Sequence, residues 1–340
     1  MKVARIVVAG CLLLSSSLVA AASDAITQCN TLAASPADTT RPAGIAGVSL
    51  ADVDGAKAVP ACLAAIAAAP TDARLHLQLG RAYDASKADD QALVAYQKAM
   101  ELGSIVGMNN FAAFLEHGRG TAKDEARAAE LYRKAADAGL AHAQVNFGHM
   151  LRDGKGVAKD GAAALVQYKK AAAQGDGDAM YQAGLLLEYG DGVPADIAAA
   201  FALYKASAET GEPGGLESLA TFLEDGRGTA KDEKAAFGYY SRAVEAGSEW
   251  SKIALAGMHH DGRGTAMDDG IAMKLLREGF SDEQTRTDTL SNGGFYYNEV
   301  TRKAVQDMLK KAGLFNGTVD GVFGADTNAA IEAFLKQPAN

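Results

Sequence analysis

The chain has 340 residues, with 33 Lys and Arg against 42 Asp and Glu and a formal charge of −9. Without Lys2 and Arg5 the count is 31 against 42, about −11, and an acidic surface repels phosphate backbones and anionic lipid heads. No nucleic-acid partner is therefore expected, and beyond the N-terminus no stretch approaches the ~18 apolar residues of a transmembrane span. The length is a prior for about two domains.

Lys2 and Arg5 precede an apolar run from Ile6 to Val19, and Ala20-Ala21-Ala22-Ser23 supplies small residues of the A-x-A cleavage type. This pattern predicts a secretory signal peptide over residues 1–22 and a periplasmic or secreted mature chain. Val8-Ala9-Gly10-Cys11 offers a second reading, a lipoprotein signal acylated at Cys11. The short apolar stretch before Cys11, and its continuation through Leu12 to Leu14, favour cleavage near Ala22. Cys29 and Cys62 then remain, and an even count in an oxidising compartment reads as one disulfide, contributing about 3–4 kcal/mol by loop closure. Two buried free thiols are the alternative; the spacing does not suit zinc and no histidine lies between them. Residues 23–70 are expected to form a helical N-terminal cap.

A period of 36 residues governs the middle of the chain. Glycine recurs at Gly118, Gly154, Gly190, Gly226 and Gly262, and two residues after each of these, from Gly120 to Gly264. Aspartate follows from Asp124 to Asp268, a further glycine series runs from Gly103 to Gly247, and tyrosine occupies Tyr96, Tyr132, Tyr168, Tyr204 and Tyr240. In one unit, Ala143, Phe147, Met150 and Leu151 fall on one helical face. Gly154 and Gly156 end that helix, since glycine tolerates the left-handed conformation at a C-terminus. Asp160 suits the N-cap of the next helix, whose apolar face is Ala164, Leu165, Tyr168, Ala171 and Ala172, and Gly175 stops it. One such hairpin cannot bury both faces alone; stacking does.

The G-x-G-x-x-x-D loop, the Tyr-x-x-Ala before the closing glycine and the 36-residue period resemble the Sel-one-like repeat family, relatives of tetratricopeptide repeats. Five such units are expected over 105–282. An earlier unit, 71–104, is similar to the shorter tetratricopeptide pattern through Leu79, Gly80, Tyr83, Ala92, Tyr96 and Ala99. The expected fold is all-α: a right-handed α/α solenoid of helix-turn-helix repeats with a small C-terminal helical module. The resemblance implies a protein-interaction scaffold without catalytic machinery. Some disulfide-rich relatives are linked to penicillin or cell-wall-fragment binding, but their cysteines lie in every repeat and here the repeats have none.

Residues 283–297 are polar, contain Asn292-Gly293-Gly294 and read as a linker. Beyond them Val305-Gln306, Leu309, Gly313, Gly317, Asp320-Gly321, Gly324, Thr327 and Phe334 resemble the peptidoglycan-binding-like domain of wall hydrolases, over 298–338. Leu335 stands where that family usually has glutamine. Most of these residues set turns or fill a small core, so wall contact is expected from Asn316, Asp320 and Asp326. A packing or protein-docking module is the alternative.

The histidines give no catalytic pattern. His259-His260-Asp261 looks like a metal fragment, yet His259 stands where Leu115, Leu151, Leu187 and Leu223 stand in other units, at a rung open to a C-terminal neighbour. The G-x-G pairs recur five times between helices and read as turns, not phosphate cradles. No G-x-S-x-G or H-E-x-x-H occurs, so no metal, no cofactor and no enzyme are expected. On the first helix of one unit His142, Asn146, His149 and Asp153 lie on one stripe away from the apolar face. Gln182, Tyr189, Asp225 and Trp250 continue it on other units, and tryptophan is enriched at binding hot spots. The stripe is a candidate groove for a protein partner or an ordinary solvated face. The expectation is a secreted or periplasmic scaffold that binds a protein through the repeats and peptidoglycan through the C-terminal module. Alternatives are a periplasmic regulator of a sensor or export system without wall binding, or a wall-active or β-lactamase-like enzyme.

Overall fold

A computed structural model describes residues 21–294 and 297–338. The leader, apart from its last two residues, and Cys11 lie outside the described residues. Every regular element described is helical, and the chain divides into two compact units, residues up to 167 and residues from 168 onward.

In the first unit, helix α1 (21–33) is tied by a disulfide between Cys29 and Cys62 to α2 (Gly55–Ala68). Both half-cystines are fully buried with Ala33, Ala58, Ala65, Leu75 and Leu79 in one core. A buried polar bridge supports this cap: Gln78 Nε2 donates to Asn30 Oδ1 at 2.8 Å, and Arg81 donates to the carbonyls of Ala33 and Val48. The hairpins α3 (Ala73–Ala85) with α4 (Asp89–Glu101), and α5 (Ile105–His117) with α6 (Glu125–Asp137), come next, then α7 (Ala141–Asp153); the residues of α8 (Gly161–Ala172) fall in both units. From α3 onward each helix packs on the next as far as α7.

The second unit stacks α9 (Gly177–Tyr189), α10 (Ile197–Thr210), α11 (Pro213–Asp225), α12 (Glu233–Glu245), α13 (Glu249–Asp261) and α14 (Asp269–Ser281) in the same way. The repeated sequence explains the repeated geometry. The glycines from Gly118 to Gly262 end the first helices at φ of 68° to 72°, a left-handed conformation that a Cβ disfavours. Gly120, Gly156 and Gly264 are held by space as well: a Cβ on Gly264 would sit 2.2 Å from the Glu233 carbonyl oxygen. Each aspartate from Asp124 to Asp268 accepts the backbone N–H three residues on, at 2.9–3.0 Å, as an N-cap should.

The tyrosines mark a buried rung. Tyr96, Tyr132, Tyr204 and Tyr240 donate to Asp84, Glu116, Glu188 and Glu224, and burial pushes these phenols well above their ordinary pKa. The arginine of the next glycine loop meets the same carboxylate: Arg119 on Asp84, Arg227 on Glu188 and Arg263 on Glu224. Polar side chains so deep are tolerated because each is paired.

The stretch read as a polar linker holds helix α15 (Glu283–Asn292), capped by Asp282 and closed by Gly293 at φ 67°. Its sequence hid this because the helix is polar nearly all round, while Thr285 and Thr289 supply its buried face. The C-terminal module, α16 (Glu299–Lys311) and α17 (Ala325–Lys336), shares one core with the last hairpin. Ile253, Leu276 and Phe280 pack in the same cluster as Val305, Leu309, Ile331 and Phe334. Helix α13 lies against α16, and a Cβ on Gly257 would stand 3.4 Å from that of Ala304.

Candidate functional site

A concavity of about 660 Å³ lies in the second unit on its first helices. Helix α9 contributes Tyr181, Leu185, Glu188 and Tyr189, spaced so that all face one way. Helix α11 contributes Glu217, Thr221 and Asp225, and α13 contributes Trp250. Gly214 is needed for this wall, since a Cβ there would meet the Tyr181 ring at 2.8 Å. Asp288 of α15, Tyr297 and Asn298 complete the far side. Trp250 and Tyr297 lean together with ring centroids 5.7 Å apart, while Tyr189 is 62% exposed.

The groove is acidic. Glu188 already holds the only cation among its lining residues, Arg227, at 2.7 Å, and accepts from Tyr204 as well. Glu217 is met by the Ser248 hydroxyl at 2.8 Å, and burial pushes its carboxyl upward. Asp225 accepts from Asn298 Nδ2 at 3.0 Å; burial, then the neighbouring Glu224, pushes its carboxyl upward. Asn298 also caps α16 through its Oδ1, so the module's first helix begins at the groove's edge.

A smaller concavity, about 300 Å³, opens on the module between Phe315, Thr318, Val322 and Asp326. Gln306 builds it from beneath. Fully buried, its Nε2 donates to Asp320 Oδ1, the Val322 carbonyl and Thr327 Oγ1, and its Oε1 accepts from the Gly321 N–H at 2.7 Å. Asp320 Oδ1 also accepts from the Val322 N–H, which lowers that carboxyl's pKa. The D-G-x-x-G-x-x-T pattern is thus a loop wound around one glutamine.

The expected residues distribute unevenly. Tyr189, Asp225 and Trp250 line the large groove; Gln182, on the same helix as Tyr189, bonds Asp178. In the first unit Asn146 donates to Asn109 at 3.0 Å, Asp153 is held by Arg152 and Lys155, and His142 is exposed; His149 is half-buried on the same helix. Asp320 and Asp326 line the module's concavity, and Asn316 is exposed on its loop. Sequence reasoning missed Tyr181 and Glu217, which share one rung 36 residues apart, and Tyr297 and Asn298, which sit where the ladder has stopped.

The two adjacent histidines part ways. His259 turns its edge to Phe237, centroids 5.3 Å apart. His260, 4% exposed, faces Asp269 with Nδ1 at 2.5 Å and Asp307 of α16 with Nε2 at 3.0 Å. Both His260 nitrogens are engaged, and among the described residues no three His, Cys, Asp or Glu are grouped to hold a metal. No helix among them is long and apolar enough to cross a membrane.

The fold defines the class: an all-α solenoid of helix-turn-helix repeats. The Sel1 repeat family matches at 105–140, 141–176, 177–211 and 216–248, and the family described as "Putative peptidoglycan binding domain" matches at 298–336. The chain thus carries four Sel1 repeats and, at 298–336, a match to the peptidoglycan-binding-like domain. Residues 249–281, beyond the matched repeats, keep the same caps at Gly262 and Asp268. Among solved structures, a Sel1 repeat protein from Oxalobacter formigenes aligns with TM-score 0.58 and 27% identity over 69% of this chain and 99% of that one. The c5321 protein, a protective antigen of uropathogenic Escherichia coli with the same kind of repeat fold, aligns with TM-score 0.51 and 21% identity over 84% and 72%. No curated protein matches the chain significantly.

Proposed function

We propose that the chain is a non-catalytic scaffold of the bacterial periplasm, which holds a protein partner in the groove of its second unit and docks on peptidoglycan through residues 298–338. The observation that carries this is the pairing, in one compact unit, of an aromatic-walled groove and a module of the peptidoglycan-binding type. The disulfide of the cap fits an oxidising compartment, and the signal-like N-terminus fits export. On the module, Asn316 and Asp326 are the proposed wall contacts. Asp320 holds the turn between them, accepting from the Val322 N–H and from Gln306.

Co-sedimentation of the full chain with purified sacculi tests the wall half. Deleting the module would expose Ile253, Leu276 and Phe280, so point variants are the sound choice. Pelleting that falls for Asn316→Ala and Asp326→Ala, with helicity unchanged, is expected. An intact chain that never pellets overturns wall docking. A second reading, a regulator whose module serves only to close the solenoid, is favoured by the core the module shares with the last hairpin. It predicts a co-purifying partner protein together with no sacculus binding.

A further inference from the structure

The chemistry of the large groove selects its ligand. Three aromatic rings, Tyr189, Trp250 and Tyr297, stand over a floor and rim that carry Glu217, Asp225 and Asp288. The one arginine in the lining is bound to Glu188 and laid over the Phe222 ring, 4.4 Å from guanidinium carbon to ring centroid. Glu217 has serine hydroxyls for company, Asp225 an asparagine amide and Asp288 the Gln284 amide. These carboxylates are thus met by neutral donors, beside ring faces that carry negative quadrupole density.

We infer that this groove takes a cationic segment of a partner protein, with a lysine or arginine side chain seated between the Trp250 and Tyr297 rings and the carboxylates of Glu217, Asp225 and Asp288. The inference rests on the groove reading under Proposed function and adds the sign of the ligand. Charge complementarity sets it. A cation over an aromatic face gains from the ring quadrupole, and a cation beside a half-desolvated carboxylate gains more than one at an open surface. Burial displaces the Glu217 and Asp225 carboxyls upward, and at Asp225 the charges of Arg227 and Lys231 offset this only in part. An anionic or apolar segment would leave these carboxylates further desolvated without a counter-charge, which opposes it.

Trp250 is the only tryptophan of the chain, so fluorescence excited selectively at tryptophan reports on this groove. The test titrates the full chain with a short Lys/Ala peptide, its Glu/Ala counterpart and soluble muropeptides, which carry amines of their own. Saturable quenching by the lysine peptide alone is expected, weakened roughly 5- to 10-fold in each of Glu217→Gln, Asp225→Asn and Asp288→Asn and also by high salt. The three variants keep the side-chain shape and one hydrogen-bonding oxygen, and circular dichroism checks their fold. Equal quenching by both peptides, or variants that bind like wild type, overturns the inference. Quenching by muropeptides but not by the lysine peptide overturns the protein source. If neither peptide binds, a photo-crosslinking residue in place of Tyr189 separates two failures. Crosslinks to a partner in cells retain the groove and sink only its cation preference; none sinks the groove reading itself.

Discussion

The interior rungs of the second unit and its last rung solve the same problem with opposite charge. At an interior rung a buried glutamate, Glu224, accepts from Tyr240 and from Arg263 of the following loop. Thirty-six residues on, the same rung carries His260, and the group that arrives from the C-terminal side is the carboxylate Asp307, with Asp269 on the other nitrogen. The repeat therefore ends by exchanging partners: acid meets base inside the stack, and base meets acid where a different fold takes over. A foreign module is docked on the register that otherwise stacks one repeat on the next, and it brings a carboxylate where a repeat brings an arginine.

The largest effect should come from the core that the last hairpin and the module share. Phe334→Ala removes a buried ring that also lies under Arg277, whose guanidinium carbon is 4.4 Å from its centroid. A loss of about 3–5 kcal/mol is expected. If the two regions are one folding unit, hydrogen exchange will quicken in α13 and α14 as well as in α16 and α17. Faster exchange confined to α16 and α17 would separate them and break the comparison.

Next comes the interior rung. Glu224→Ala strands the Arg263 guanidinium, whose side chain is only 11% exposed. Breaking a buried pair costs about 3–5 kcal/mol, and the low end is expected because Arg263 keeps Asp261 at 3.1 Å. Urea denaturation reads this directly, and a cost under about 1 kcal/mol would class the rung with surface ion pairs.

The repeat architecture was legible because its signals are local and recur. Glycine series fix the helix ends, aspartate series the starts, and the tyrosine ladder the core. The groove was half legible. Tyr189, Asp225 and Trp250 follow from rung arithmetic, but Tyr297 and Asn298 reach it only because the module folds back on α13. Nothing in a 36-residue period encodes that. Helix α15 escaped for a related reason: with threonines for its buried face it has no apolar stripe, and its stability comes from what it packs against. His260 is less legible than His259, which breaks a leucine rung visibly. His260 replaces a glutamate on a rung whose pairing becomes apparent only once Tyr240 and Arg263 are seen to converge on Glu224.

The last rung gives a finer test. His260→Gln keeps a polar group between Asp269 and Asp307, whereas His260→Glu restores the residue type of the interior rung. If position alone mattered, the glutamate would be welcome. Because the arriving groups are carboxylates, His260→Glu should cost about 1–2 kcal/mol more than His260→Gln, measured by urea denaturation at neutral pH. Equal costs would show that Asp269 and Asp307, both partly exposed, simply turn away to solvent.

The smallest effect expected is in pH. The hydrogen bond from His260, and then the one from Lys311, holds the Asp307 carboxyl below its ordinary value. A carboxyl whose pKa is lower folded than unfolded binds its proton more readily in the unfolded chain, so acid favours unfolding. Its contribution is complete above the unfolded value, near pH 4, and is lost as pH falls through the depressed folded value. Asp282, Glu299 and Asp320 are lowered too, by their own partners, and the second unit will lose stability in acid whatever Asp307 does. The informative quantity is therefore a difference. Asp307→Asn should be less stable than wild type at neutral pH and should converge on it as pH falls through the depressed folded value, below which wild-type Asp307 is itself neutral. With the Asp307 side chain 41% exposed, the gap will be small, and exchange rates of α16 amides are a better gauge than a global melting temperature. A gap that persists unchanged into acid would mean that Asp307 contributes by shape rather than charge, and the reversal of sign at the last rung would lose its energetic meaning.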